Sequence, residues 1–288
     1  PTLWTGDGMA DKALYVGGGE LLLGGELGRA DLLAEGGTIR RIGTFGPPRG
    51  AEILDASGLL VLPGGIDDHV HFREPGQAEK EGYDSGTRAA LHGGVTTLLE
   101  IQNNAPLLIS GEACRAKADL VGPKARTDFG FYGNLVQEAL GRLEELAPFC
   151  LGLKLFAGGT TGMAGEGDYG GIRLLLRAAA AAGLPVAAHC EDSGILARSA
   201  EGSAEGTAEA HGLRFRPPAA ETLSVAALLE LVRESGVVLH FFHLSTGRAA
   251  ELVAAARSAG LPVSSSTCPH YLWFEAADAA RQIGRAHV

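Results

Sequence analysis

Two rhythms of apolar and polar positions divide the chain. From Ala13 to Leu62, short apolar segments are cut by glycine, as in "ALYVGGGELLLGG", "ADLLAEGGTIRRIG" and "AEILDASGLLVLPG". The apolar positions recur at strand spacing, which predicts a small β-sandwich or β-ribbon module in preference to loose turns. Past Pro63 the rhythm becomes strand then helix, repeated. Candidate strands cover residues 65–72, 95–101, 127–133, 151–156, 185–189, 237–244 and 262–267. Between most of them lie helical stretches such as "GGIRLLLRAAAAAG", "SVAALLELVRESG" and "GRAAELVAAARSAG". These end in glycine, the usual helix stop.

Strand–helix alternation predicts an α/β fold with a parallel sheet. Seven units over residues 63–282 fit a (β/α)8 TIM-type barrel lacking its last unit, preceded by a partial β-sandwich over residues 1–62. A doubly wound open sheet is the alternative, but no G-x-G-x-x-G fingerprint follows the first strand. The final residues 283–288, "IGRAHV", match one reading frame of a common sequencing adapter. They are expected to be a non-native tail without functional weight, the natural sequence continuing differently past Gln282.

Composition narrows the function. An apolar content of 45% over 288 residues suffices for one large core. The net charge of −10, with no Lys/Arg-rich run, argues against nucleic acid as a partner. No apolar run approaches the roughly 18–20 residues a membrane span needs, and the first residues lack a signal-peptide pattern. Four cysteines stand far apart without a C-x-x-C pair, so a reducing cytoplasm is the expected location.

Unusual polar residues fall at strand ends: His69 and His71 on the first, Asn103 after the second, Lys154 in the fourth, His189 on the fifth and His243 on the sixth. In a barrel those ends converge on one mouth, where active sites lie. His69 and His71, at i and i+2 of a strand, share a face and can reach one ion, whereas alone they could be surface histidines bonded to neighbours. Lys154 in "LGLKLFAGG" is flanked by leucine, where an unpaired ammonium is costly. It either meets an acidic partner or is neutral and able to react with carbon dioxide to form a carbamate. His189 and His243 would each singly be core histidines. His240 lies at odd spacing from His243, which assigns it to the opposite face and a structural role. Together, His69, His71, Lys154, His189 and His243 form a binuclear constellation.

Two further stretches carry less. The Gly-rich run over residues 156–171 lacks the G-K-[ST] ending of a phosphate loop and reads as a βα loop at the barrel mouth. His270 either lines the pocket or packs.

The motifs "DDHVHFREPG", "GLKLF", "AAHCED", "HLSTG" and "TCPHYLWF" resemble the cyclic-amidohydrolase branch of the amidohydrolase superfamily, most closely dihydroorotase, over nearly the whole chain. The resemblance implies His69 and His71 on one zinc, His189 and His243 on another, and carbamylated Lys154 bridging the two. It implies Arg73 and Asn103 as carboxylate-binding residues, since a guanidinium offers forked donors to a carboxylate. Arg73 could instead form a salt bridge to Glu74 or Asp84. Relatives usually show Met-Pro-Asn-Thr around Asn103, so Gln102 and Asn104 are departures. The implied reaction is the reversible zinc-dependent cyclisation of N-carbamoyl-aspartate to dihydroorotate in pyrimidine synthesis. Hydantoinase or allantoinase chemistry and a non-catalytic scaffold subunit are the alternatives. The proton-shuttling aspartate of an eighth strand is expected beyond the C-terminus, Asp278 lying in a helical stretch, so the chain as it stands is expected to be inactive or nearly so. A small-molecule substrate, and a homodimer or association with a transcarbamoylase, complete the expectations.

Overall fold

In a computed structural model the described residues are 3–4, 13–160, 163–200 and 216–274. Asp278 and the 283–288 tail lie outside them.

The first half of the pattern folds into two small sheets. Strands β1 (Leu14–Gly17), β4 (Asp31–Glu35), β5 (Thr38–Gly43) and β6 (Glu52–Asp55) make one sheet in the order β5-β4-β1-β6. Strands β2 (Glu20–Leu23), β3 (Glu26–Arg29) and β7 (Leu60–Val61) make the other, in the order β3-β2-β7. The hairpin joining β2 to β3 turns at Gly24 and Gly25, with φ of 61° and 91°, a region that costs glycine little. Tyr15, Val16, Leu21 and Leu33 are buried, whereas β3 and β6 are exposed along their whole length.

The second half gives seven parallel strands: β8 (Gly65–Val70), β9 (Val95–Ile101), β10 (Asp128–Asn134), β11 (Cys150–Ala157), β12 (Val186–Cys190), β13 (Leu239–Phe241) and β14 (Val263–Ser265). Each pairs in parallel with the next, in unbroken sequence order. A flat sheet with strands roughly 4.8 Å apart would hold the first and sixth strands about 24 Å from each other. Instead the ring of His69 on β8 lies 4.1 Å from that of Phe242, just past β13. The sheet is therefore curled, as in a TIM-type barrel, with an inside and an outside.

Both faces are buried, so the central strands read as nearly continuous apolar runs. Outside, Leu153, Leu155, Val186, Ala188, Leu239 and Phe241 pack under the helices. The main covering helices are α4 (Tyr169–Ala181), α6 (Pro218–Ser235) and α7 (Gly247–Ser258). Helix α4 buries Ile172, Leu175, Leu176 and Ala179, the i, i+3, i+4, i+7 stripe of a helix with one apolar face. It starts at Asp168, whose carboxylate accepts from the backbone N–H groups of Gly170 and Gly171. Helix α6 begins with Pro218 in its first turn and stops at Gly236, at φ 70°. Inside the curl, Ile101, Phe156, Ala187 and Phe242 form a second apolar cluster below the strand ends.

Candidate metal centre at the strand ends

Cross-strand register decides what faces the interior. Lys154 is paired with Ala187, Ala187 with His240, and His240 with Ser264, so these four share one row on one face. Phe156 and His189 form the next row up. His240 thus points inward with Lys154, a correction to its expected placement on the opposite face. Strand β13 stops at Phe241, and His243 adopts a left-handed backbone with φ of 42°, so strand alternation no longer relates the two histidines. Both nitrogens of the His240 ring are occupied, Nδ1 by the Ser264 hydroxyl at 2.8 Å and Nε2 by that of Ser266 at 3.1 Å.

Four imidazoles meet above that row. The ring centroids of His69 and His71 lie 5.2 Å apart, those of His69 and His243 5.2 Å, and those of His189 and His243 5.0 Å. Hydrogen bonds select the tautomers. His71 Nδ1 donates to the Ile101 carbonyl at 2.8 Å, leaving Nε2 with a free lone pair. His189 Nε2 bonds Glu191 Oε2 at 2.9 Å, which leaves Nδ1 facing His243 Nε2 at 3.3 Å. Glu191 is itself held by Arg216. Burial, then the charge of neighbouring groups, presses every ring towards neutrality. His189 and His243 fall to about 3, and His69 falls further. His71 falls to about 4 against the raising effect of its bond to Ile101. Neutral imidazole is the form that ligates a metal.

Lys154 sits beneath them, 1% exposed, with its ammonium nitrogen lacking any hydrogen-bond partner. That nitrogen lies 4.4 Å from the Phe242 ring centroid and 4.9 Å from that of Phe156. Desolvation pulls its pKa from 10.5 down to about 7, so the acidic partner considered from sequence is not what holds it. Among the described residues no three His, Cys, Asp or Glu side chains converge to hold an ion by themselves. A further donor would have to come from another kind of side chain, and the Lys154 amine, as a carbamate, is the one the resemblance implies. An orphaned buried amine beside neutral imidazoles with free lone pairs fits the implied bridged pair of cations.

Arg73 and Asn103, the two residues expected to bind substrate, are 5% and 3% exposed, and Arg73 is near enough to His71 for its charge to lower the pKa of that ring. Arg73 follows β8 in a left-handed conformation, φ 62°. The salt bridges considered for it are absent. Glu74 is taken by Lys124 and the Tyr83 N–H, and Asp84 by Arg126 at 3.2 Å and Arg88 at 3.8 Å. Gln102 and Asn104 both donate to the Pro75 carbonyl, at 3.3 and 2.8 Å, and so tie the loop after β9 to the loop that carries Arg73. The run over residues 156–171 closes on itself through Glu166, which exchanges backbone hydrogen bonds with Phe156 and Gly158. His270, on α8 (Pro269–Trp273), is exposed and meets the Tyr271 ring edge-on.

Three participants escaped the sequence reading. Glu191, two residues past His189, had a signal in that spacing. Glu100 in strand β9 and Lys117 in α2 (Gly111–Val121) are opposite charges on the buried sides of their elements, and they pair with each other. A charge in the apolar phase of a strand and another in that of a helix were the missed clue.

A curled parallel barrel with histidines and a buried lysine at its strand ends defines a class of metal-dependent hydrolases. The Amidohydrolase family pattern matches residues 60–272, and the chain belongs to that family. Among curated proteins it is similar to an allantoinase of Rubrobacter xylanophilus, 42% identical over 95% of this chain and 61% of the relative. An allantoinase of Deinococcus radiodurans is 36% identical over 88% of this chain and 58% of the relative. Among solved structures, a D-hydantoinase superposes with a TM-score of 0.80 at 29% identity, covering 92% of this chain and 59% of that one. A D-hydantoinase (dihydropyrimidinase) from a Thermus species gives 0.78 at 29% identity, covering 93% and 60%. The chain spans about three-fifths of the length of the curated relatives it matches. These relatives carry the names allantoinase and hydantoinase, where the motifs resembled dihydroorotase.

Proposed function

We propose that the protein hydrolyses a cyclic amide of the allantoin or hydantoin class, with two zinc ions held by His69, His71, His189, His243 and carbamylated Lys154. The observation that carries this reading is the Lys154 amine, buried without a partner among four neutral imidazoles. With a pKa near 7, a substantial share of it is unprotonated at neutral pH and able to attack carbon dioxide. The N–C bond forms, a proton leaves for solvent, and bound cations would offset the charge of the resulting buried anion. The names of the relatives support the ring class.

Bound cations would supply Lewis acidity towards a ring carbonyl and a lowered pKa for water. The chain's own residues do the rest. His71 and His189 are oriented by Ile101 and Glu191, so each presents one defined nitrogen. Phe156 and Phe242 keep the floor apolar and exclude bulk water. Arg73 and Asn103 would contact a polar substituent of the ring.

A second reading, dihydroorotate as the ring, is favoured by one feature: the buried Arg73 guanidinium, whose Nη1 has no partner. Assays of allantoin, hydantoin and dihydroorotate with the zinc-loaded protein decide between them. Turnover of the uncharged rings that survives Arg73→Ala supports the main reading. Turnover of dihydroorotate alone, lost in Arg73→Ala, replaces it with the second. Turnover of none of the three rings, with enough protein to detect a rate roughly 10⁴-fold below that of general acid–base catalysis, contradicts both.

A further inference from the structure

We infer that Ser266, aimed by His240, is a positioning residue for His243: its hydroxyl holds the left-handed turn that brings the His243 ring round to His189. The inference rests on the reading of His243 as a metal ligand.

His240 faces the interior with Lys154, so plain strand alternation would carry His243, three residues on, to the outer face. The turn reverses that. At φ 42° the His243 backbone occupies a region that residues with a side chain enter only at a cost, and its Nε2 comes to lie 3.3 Å from His189 Nδ1. Such a conformation persists only where its surroundings over-determine it. Here the surroundings are Ser266, the first residue after β14. Its N–H donates to the Phe241 carbonyl at 3.0 Å, and its carbonyl accepts from the Leu244 N–H at 2.8 Å. Its hydroxyl oxygen accepts from the N–H of His243 itself, at 3.3 Å. The first two bonds are made by the backbone; the third needs a hydroxyl.

Proton counting extends the chain to His240. A peptide N–H can only donate, so the Ser266 oxygen is the acceptor for His243 and its own proton must go elsewhere. Among the described residues the other partner of that hydroxyl is His240 Nε2, at 3.1 Å. Sending the proton there requires a bare Nε2 and puts the ring proton on Nδ1, which donates to the Ser264 hydroxyl at 2.8 Å. Ser264 thus fixes the His240 tautomer, His240 aims the Ser266 hydroxyl, and Ser266 holds the His243 backbone. His240 shares a row with Lys154, but it acts on the centre through a hydroxyl and a peptide N–H, not as a ligand.

Two measurements test this. Nitrogen NMR of the histidine rings in the metal-free chain should show His240 as the Nδ1–H tautomer, with Ser266→Ala shifting its Nε2 signal. Zinc titration against a chelator should show Ser266→Ala weakened about tenfold in one of two binding steps, the usual effect of losing a group that orients a ligand. Ser266→Thr, which keeps the hydroxyl, should restore that step. Ser264→Ala, which removes the partner of Nδ1, should weaken the same step and serves should Ser266→Ala not fold. An Nε2–H tautomer in the wild-type chain overturns the inference, as do wild-type zinc affinities in whichever alanine variant folds. A loss that Ser266→Thr does not restore also overturns it, since packing would then be the cause. Fewer than two zinc ions on the wild-type chain, with the tautomer as expected, instead overturns the reading of the metal centre.

Discussion

Lys154 is the residue on which the proposed centre depends, and its own energetics make it testable. The folded state depresses its pKa from 10.5 to about 7. Between those values the unfolded chain binds more protons than the folded one, so stability of the metal-free protein rises with pH across that window and is flat below about 7. The contribution is fully present above 10.5 and lost as pH falls to 7. Lys154→Met removes the buried amine, so the metal-free variant should be more stable at pH 7, by roughly 1–3 kcal/mol. Its stability should also change less between pH 7 and 10. Urea unfolding at several pH values measures both, and a variant less stable than wild type at pH 7 contradicts the account.

At the scale of elements, the polar ends of helices hold the site's loops. Glu221, buried in α6, accepts four hydrogen bonds from the backbone and hydroxyls of Ser245 and Thr246. Thr246 in turn caps α7 through the Ala249 N–H. His243 is two residues from this anchor, which fixes the segment after its left-handed turn. Thr246→Ala should cost about 1–2 kcal/mol through the lost cap and the lost bond to Glu221, read from denaturant midpoints. A change under 0.3 kcal/mol would show that the cap carries no stability.

The seven barrel strands were legible because parallel strands buried on both faces read as apolar runs; the first five fall within two residues of the expected bounds, whereas β13 and β14 keep only Leu239–Phe241 and Val263–Ser265 of the expected 237–244 and 262–267. The left-handed turn at His243 was not, since no glycine marks it; that is why His240 was assigned to the wrong face. The two small sheets were legible as strands, but not their extensive exposure: Ile39, Ile53 and Leu54 are all more than half exposed. The site residues stood out as polar groups at strand ends, whereas the Glu100–Lys117 pair stayed hidden because partners far apart in sequence are found only in the fold. The choice among ring substrates rested on Arg73 alone in the sequence, and the names of the relatives weigh against it.

At the scale of the whole molecule, the described sheet ends at β8 and β14, and β8 presents Ile66 at 70% exposure. An exposed apolar edge strand is a template for pairing with other chains. Ile66→Lys in the 288-residue chain should raise the soluble fraction and slow aggregation on warming, followed by light scattering; faster aggregation would point to another surface. The described residues fill seven barrel positions. If the proton-shuttling aspartate implied by resemblance is absent from this chain, ring opening should be reduced by roughly 10²–10⁴-fold, the usual worth of general acid–base catalysis, while metal binding persists.

Metal content therefore tests the central claim most directly. Elemental analysis of the protein after loading with zinc and bicarbonate at pH 8 and removal of excess metal should give two zinc ions per chain, and far fewer for Lys154→Met treated in the same way. One zinc or none in the wild-type protein, or two in the variant, would contradict a binuclear centre bridged by Lys154.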